Sequence, residues 1–383
     1  MPRQTYIRPL DLKQGRIDMS HGAGGRAGAQ LVEELFLRHL DNPFLRQGDD
    51  GAVLPVPWGF PAVTQTEKAE KGARLELNEV LNSSLAPFPS FPSEGKLVLS
   101  TDCHVVSPLF FPGGDIGCLA VHGTINDVAM MGARPLALTA GFVIEEGFAL
   151  ADLDRIVASM AAASRAAGVP VVAGDTKVVE RGKGDGVFIT TTGFGVVPVG
   201  VELSGTRARP GDVILLSGSI GDHGMAIMSQ RESLAFEAPI VSDTAALHEL
   251  VAAMLATGAD LRCLRDPTRG GLATTLNEIA RQSGVGMLLD EMAIPLQPAV
   301  AAACEFLGLD PLYVANEGKL VAIVASADAN RVLAAMCTHP LGAKAARIGT
   351  VQADPGHFVQ MTTCLGGRRN VDWLAGEQLP RIC

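Results

Sequence analysis

Apolar side chains recur at helical spacing in three stretches of the chain. Leu153, Ile156, Val157, Met160 and Ala161 fall at i, i+3, i+4, i+7 and i+8, which lines them along one stripe of an α-helix. Leu247, Leu250, Val251, Met254 and Leu255 repeat that spacing, and Leu31, Leu35, Phe36 and Leu40 predict a third helix. Short apolar runs closed by Gly, Asp or Pro predict strands at residues 97–100, 169–173, 187–192, 213–217 and 320–324. Helices and strands mix without strict βαβ order, which favours an α+β fold over a doubly wound sheet.

The turn-rich joint Arg207-Ala208-Arg209-Pro210-Gly211-Asp212 is followed by a fresh strand. It divides the chain into an N-terminal domain, residues 17–205, behind an extension of residues 1–16, and a C-terminal domain, residues 206–364. Residues 57–95 stand apart, with Pro57, Pro61, Pro87, Pro89 and Pro92 flanking a charged middle; they predict a surface insertion with one short helix. Residues 365–383 open on Leu365-Gly366-Gly367 and have little periodicity, so they read as a mobile tail.

Composition narrows the function classes. A chain of 383 residues with 47% hydrophobic content supports about two packed domains and excludes wholesale disorder, collagen and a coiled coil. A net charge of −10 argues against general nucleic-acid binding, which needs a basic surface. No apolar run approaches the ~20 residues that span a bilayer, and the first sixteen residues do not read as an export signal. The seven cysteines are an odd number without a CxxC pair, which disfavours a disulfide framework or structural zinc and points to a reducing cytoplasm.

No GxxxxGK[ST] motif occurs, because no Lys precedes Ser or Thr, and GxGxxG, HExxH and GxSxG are also missing. Instead, Asp residues recur in turns beside predicted elements. They are Gly48-Asp49-Asp50-Gly51, Ser100-Thr101-Asp102, Asn126-Asp127, Gly174-Asp175-Thr176-Lys177, Gly221-Asp222-His223-Gly224 and Asp266-Pro267-Thr268-Arg269-Gly270-Gly271. Singly, each reads as a turn or cap. Together they suit magnesium and a polyphosphate, since Mg²⁺ takes hard oxygen ligands and glycines let backbone N–H groups approach phosphate. Asp266 with Pro267 also predicts a helix entry, with Asp266 as cap. The loop Ser20-His21-Gly22-Ala23-Gly24-Gly25 is either phosphate-facing or a flexible joint. Lys177 either offsets phosphate or carboxylate charge or is a solvated strand end, and Glu317 is either a general base or an exposed turn residue. Cys383, the last residue of the sequence, follows Pro380-Arg381-Ile382. A thiol on a glycine-hinged tail is suited to nucleophilic carriage of an acyl group.

These motifs carry a family resemblance over nearly the whole chain. The run from Gly123 through Asn126, Asp127 and Met131 to Ala133, the Asp loops, Pro311 to Lys319 with its Asn316-Glu317-Gly318-Lys319, and the terminal Pro-Arg-Ile-Cys resemble the HypE carbamoyl dehydratases of nickel–iron hydrogenase maturation. That family belongs to the aminoimidazole-ribonucleotide-synthetase-like ATP enzymes. The resemblance implies a two-domain PurM-like fold, an N-terminal sheet closing into a barrel across a homodimer, and a C-terminal α/β sandwich. It implies ATP and Mg²⁺ as cofactors, a HypF-like carbamoyltransferase that loads Cys383, and a HypC–HypD complex that receives cyanide. By matching position, Asp50, Asp102, Asp127 and Asp266 are candidates for magnesium–ATP, with Asn126, Asp175, Gly270 and Gly271 beside the nucleotide. Cys383, Glu317 as base and Lys177 as its charge partner are the candidate catalytic set. Two features depart from the family pattern: Cys103, after Asp102, and the length of the 57–95 insertion. The competing readings are a related ATP phosphotransferase, of the selenophosphate-synthetase or thiamine-phosphate-kinase type, and a catalytically silent adaptor; neither phosphotransferase explains Cys383.

Overall fold

The computed structural model describes residues 9–21, 25–43, 45, 96–232, 239–374 and 381–382. The 57–95 insertion, Asp49, Asp50, residues 22–24 and Cys383 lie outside the described residues. The predicted first helix is present as α1 (Gly25–Leu31), a π-turn at Val32–Phe36 and α2 (Leu37–Leu40).

Four strands form the first sheet, β1 (Lys96–His104), β4 (Arg134–Glu145), β5 (Val171–Val179) and β6 (Val187–Val197), in the order β1-β6-β4-β5. A small ribbon, β2 (Phe110–Phe111) with β3 (Gly114–Asp115), leads into helix α3 (Ile116–Met130). The Asp115 carboxylate caps α3 by accepting from the N–H groups of Gly117 and Cys118. Apart from His122 and Asp127, every residue of α3 is buried, so the helix has no apolar stripe and escapes a periodicity search. It lies close on β6 because Gly193 and Gly195 face it; a Cβ at Gly195 would come within 2.3 Å of Val128. Helix α4 (Leu150–Ala167) joins β4 to its parallel neighbour β5 and ends at Gly168 in the left-handed conformation.

Among the described residues, the helices cover only one face of this sheet. On the other, Leu97 and Leu99 are 50% and 59% exposed and Val143 is 38% exposed. The described chain forms an open four-stranded sheet, and no closed barrel forms within it.

The second sheet has seven strands. They are β7 (Val213–Leu216), β8 (Leu261–Arg265), β9 (Gly286–Asp290), β10 (Val321–Val324), β11 (Ala346–Gln352), β12 (Val359–Thr362) and β13 (Arg368–Asn370), in the order β13-β12-β9-β11-β7-β10-β8. Every residue of β7 is buried, as a central strand covered on both faces requires. Ile214 and Leu216 pack with Leu272, Leu276 and Ile279, whereas Val213 and Leu215 pack with Leu250 and Met254 of helix α6 (His248–Leu255) and with Val332 and Met336. This is the expected α/β sandwich. Ala129 and Met130, at the end of α3, are buried in its second core, which ties the two halves together.

One boundary differs from expectation. Leu365-Gly366-Gly367 is the turn of a hairpin rather than a hinge: Arg368–Asn370 pairs with Gln360–Thr362, Gly366 adopts φ +79°, and Val371 is buried beyond it. Two glycines in a polar stretch signal either a turn or a loose joint, and only the pairing partner decides.

Candidate active site

A cleft of about 390 Å³ opens between the two halves of the chain. The end of β1 contributes Asp102, α3 contributes Asp127, and the turn after β8 contributes Asp266, while Glu317 and the chain end complete the wall. Helix α7 (Gly271–Ser283) starts at the cleft with Gly270 as its left-handed N-cap, beside Thr268 and Arg269. Its free N–H groups and dipole favour an anion there. Asp266 is not the cap that its sequence suggested. The helix begins later, at Gly271, which leaves the Asp266 carboxylate for the cleft. Gly271 serves packing, since a Cβ there would meet the Leu312 carbonyl at 2.6 Å.

The carboxylates are crowded and short of partners. Burial pushes Asp266 up to about 7, and the charge of Asp127 adds to the rise. Burial and Asp102 raise Asp127, against the Ser100 hydroxyl that donates to it at 2.7 Å. Burial acts most strongly on Asp102 as well, but the adjacent His104 imidazole, with Nε2 3.3 Å from Oδ2, together with the Cys103 N–H and Arg269, outweighs it and the net shift is downward. Glu317 is raised well above the usual carboxylate range by burial and then by Asp266, Asp243, Asp102 and Asp127. Its side chain is 3% exposed and Oε1 has no hydrogen-bond partner.

The Asn-Glu-Gly-Lys motif holds Glu317 in this costly place. Asn316 accepts from the Gly221 N–H at 2.7 Å and donates to the Pro267 carbonyl at 2.8 Å. The Glu317 N–H donates to Asp243 at 3.0 Å. At Gly318 a Cβ would lie 1.8 Å from the Asp243 carbonyl oxygen, so only glycine fits, and Lys319 pairs with Asp243 at 3.2 Å. Asp243, which carries no motif, was missed by the sequence reading. Asn126 faces this support rather than a nucleotide. Its amide donates to the carbonyls of Glu317 and Ala245 and accepts from the Leu247 N–H, so its hydrogen-bonding groups are used within the protein.

The other expected residues go elsewhere. Asp222 is buried and accepts from the Ser219 hydroxyl at 2.5 Å. Lys177 bonds both oxygens of Asp175, at 2.8 and 2.6 Å, and the two side chains are 63% and 70% exposed. The pairing expected between Lys177 and Glu317 is therefore not formed within the chain. Asp102 and Lys177 occupy strands at opposite edges of the first sheet, three strand spacings or ~14 Å apart. Lys177 and Asp175 rim a second cleft of about 280 Å³ lined by His21, Phe36, Ala140 and Phe142. Cys103 is exposed in the first cleft, its sulfur 3.4 Å from the Thr190 hydroxyl. Among the described residues, no group of three His, Cys, Asp or Glu side chains is arranged to hold a metal unaided.

Comparison with known proteins matches this architecture. Residues 81–197 match the AIR synthase related protein, N-terminal domain, and residues 209–362 match the corresponding C-terminal domain. Carbamoyl dehydratase HypE of Cupriavidus necator is 63% identical over 378 residues, covering 99% of this chain and 98% of that protein. A crystal structure of hydrogenase maturation protein HypE in complex with ATP superposes with a TM-score of 0.83 at 47% identity, over 95% of this chain and 99% of that one. A HypE–HypF complex gives a TM-score of 0.71 at 44% identity, over 90% and 99% of the respective chains. The chain thus belongs to the AIR synthase related proteins and, within them, to the carbamoyl dehydratase HypE family.

Proposed function

We propose that this chain uses ATP to dehydrate a carbamoyl group carried on the Cys383 thiol, forming a thiocyanate whose cyano group becomes an iron ligand of a nickel–iron hydrogenase. The observation that carries this reading is the unpartnered, buried Glu317 carboxylate in a cleft that also contains a helix N-terminus, three aspartates and the penultimate residue Ile382. An amide oxygen is a poor leaving group, and phosphorylation makes it a good one. The carbamoyl oxygen attacks the γ-phosphorus of ATP, ADP departs and one N–H proton is lost. The second N–H proton then leaves as the C–O bond breaks, releasing phosphate and forming the C≡N bond. Glu317 accepts a proton from the nitrogen; its desolvated position makes it a stronger base than a surface glutamate. The N-terminus of α7 and Arg269 bind phosphate oxygens, which is most of what phosphoryl transfer needs.

The carboxylates of Asp102, Asp127 and Asp266 fit Mg²⁺. They crowd one another without a cation, and Mg²⁺ completes its octahedron with phosphate and water oxygens rather than protein alone. Asp50 joins them in this reading. Bound there, Mg²⁺ supplies charge neutralisation, which also relieves the repulsion that keeps a proton on Glu317.

The uncovered face carrying Leu97, Leu99 and Val143 supports a homodimer in which two sheets close into a barrel. Such a dimer is also the route by which Lys177 reaches a nucleotide cleft, that of the partner subunit. The HypF bound to a solved relative supports a HypF-like carbamoyltransferase as donor, and the family resemblance implies a HypC–HypD complex as the acceptor of the cyano group. The six free cysteines among the described residues suit a reducing cytoplasm. Intact-mass analysis with the carbamoyltransferase, carbamoyl phosphate and ATP tests the function. Cys383 should gain a carbamoyl group and then lose one water, with heavy oxygen placed in the carbamoyl appearing in phosphate. A protein that stays carbamoylated with ATP and Mg²⁺ present is an adaptor instead.

A further inference from the structure

The strongest polar contacts that the catalytic reading leaves unused surround the chain end. His223 is fully buried near the start of helix α5 (Asp222–Arg231), edge-on to Phe111 at 5.4 Å. Its Nε2 lies 2.9 Å from the Ile382 carbonyl oxygen and its Nδ1 2.7 Å from the Ser242 hydroxyl. A carbonyl only accepts, so Nε2 carries the proton. Nδ1 then accepts from Ser242, whose oxygen in turn accepts from the Thr244 N–H at 3.1 Å. Burial keeps the ring neutral and this tautomer in place.

The last residue of the same helix captures the preceding carbonyl. Arg231 donates to the Arg381 carbonyl at 3.0 Å and to the Ser107 carbonyl at 2.5 and 3.1 Å, while the Ser107 N–H donates to the Arg381 carbonyl at 3.0 Å. The Arg381 side chain donates to the Val105 carbonyl at 3.2 Å and pairs with Asp185. Ile382 is 4% exposed and packed into the core of the first half. Arg381 adopts φ +56°, a left-handed conformation that an unrestrained chain end would abandon. Termini are ordinarily loose; this one is gripped at two successive carbonyls.

We propose that His223 and Arg231 are positioning residues that grip the main chain at Arg381 and Ile382, setting the register in which the final residue is presented to the Glu317 cleft. The inference rests on the reading that Cys383 carries the carbamoyl group. Carbonyl contacts fix how far along the chain the docked segment sits, while Ile382 and the Arg381 side chain supply its identity. Loading by a transferase needs the thiol outside, so the grip favours the dehydrating position over the loading one.

The test uses the full-length protein and the variants His223→Leu, Arg231→Ala and His223→Gln, the last keeping an N–H donor. Single-turnover dehydration of carbamoylated protein at saturating ATP should slow about tenfold in the Leu and Ala variants, the usual cost of a lost buried hydrogen bond. ATP affinity should stay unchanged, and carbamoylation should be unchanged or faster. Alkylation of Cys383 by iodoacetamide, read by peptide mapping, should accelerate by a similar factor, and His223→Gln should restore most of both effects. Arg231 is only partly buried at the end of its helix, so Arg231→Ala, which also gives up the bonds to Ser107, keeps the test open if His223→Leu fails to fold. Unchanged dehydration and alkylation in both variants would overturn the proposal. So would a joint fall in ATP affinity, carbamoylation and dehydration, the mark of a merely structural role. Failure of the wild-type thiol to accept a carbamoyl group would sink the functional reading instead, while the alkylation rates would still report on the grip.

Discussion

The two clefts are built from the same kind of sequence signal and have opposite electrostatics. In each, an aspartate sits on or beside a strand near glycine. Around Asp102, Asp127, Asp266 and Glu317 the acids are crowded, partly or fully buried, and pushed mostly toward holding protons. Around Asp175 the acid is exposed and its hydrogen bond to Lys177 holds it below the usual range. A paired, solvated carboxylate is at rest and contributes little, whereas an unpaired, desolvated one destabilises the free protein and is retained because a ligand satisfies it. The difference supports the proposal that the first cleft is the seat of chemistry, and the proposed dimer would let the second complete it from the partner subunit.

The largest effect should come from the least satisfied group. Glu317→Gln keeps the shape and removes the base, so single-turnover dehydration should fall by about 10²–10⁴ while ATP affinity holds or improves. Full activity in this variant would remove Glu317 from the reaction. Whether the clefts are two sites or halves of one is settled by mixing subunits. Lys177→Met and Glu317→Gln should each be inactive. Mixing them with subunit exchange should return about a quarter of wild-type activity, because half the dimers are hybrid and one site in each hybrid is intact. Subunits of a two-fold dimer that exchange freely pair at random, which gives these proportions. No recovery on mixing, together with an active Lys177→Met, would leave Lys177 as a solvated strand end.

Some of this was legible from residue order and some was not. The Asp-containing turns offered six loops, the family resemblance singled out Asp50, Asp102, Asp127 and Asp266 among them, and the last three line one cleft. Which turns converge depends on sheet order: β6 and β4 stand between Asp102 and Asp175. Strand β4 was missed because Pro135, Ala137, Ala140 and Gly141 dilute its apolar alternation. Helix α3 was missed because it is buried all round. Glu317 is formally a turn residue, and its burial comes from Asp243 and Asn126, which are distant in the chain. A local pattern cannot report such a contact.

Asp266→Asn sharpens the comparison from the side of binding. The amide removes one of the crowded charges, so the nucleotide-free protein should melt higher at mildly alkaline pH. ATP affinity in the presence of Mg²⁺ should fall, on the order of tenfold, through loss of a charged oxygen ligand. Asp175→Asn should change neither quantity as much. Equal effects at both positions would erase the distinction between the clefts.

His122 offers a smaller test of the same idea on the helix that carries Asp127. Burial, helped by the nearby His248, holds it down to about 4, and its ring contacts the Thr244 hydroxyl at 3.1 Å. Here the strain of burial is avoided by staying neutral rather than satisfied by a ligand. Between its ordinary value of 6.5 and about 4 the unfolded chain binds a proton that the folded protein does not. Stability is therefore intact above that window and is lost as the pH falls through it, by about 1 kcal/mol near pH 5.5. In urea titrations His122→Gln should flatten the acid limb between these values and leave ATP affinity unchanged. If the variant instead altered nucleotide binding, the contrast between buried groups that await a ligand and buried groups that serve only packing would not hold even along one helix.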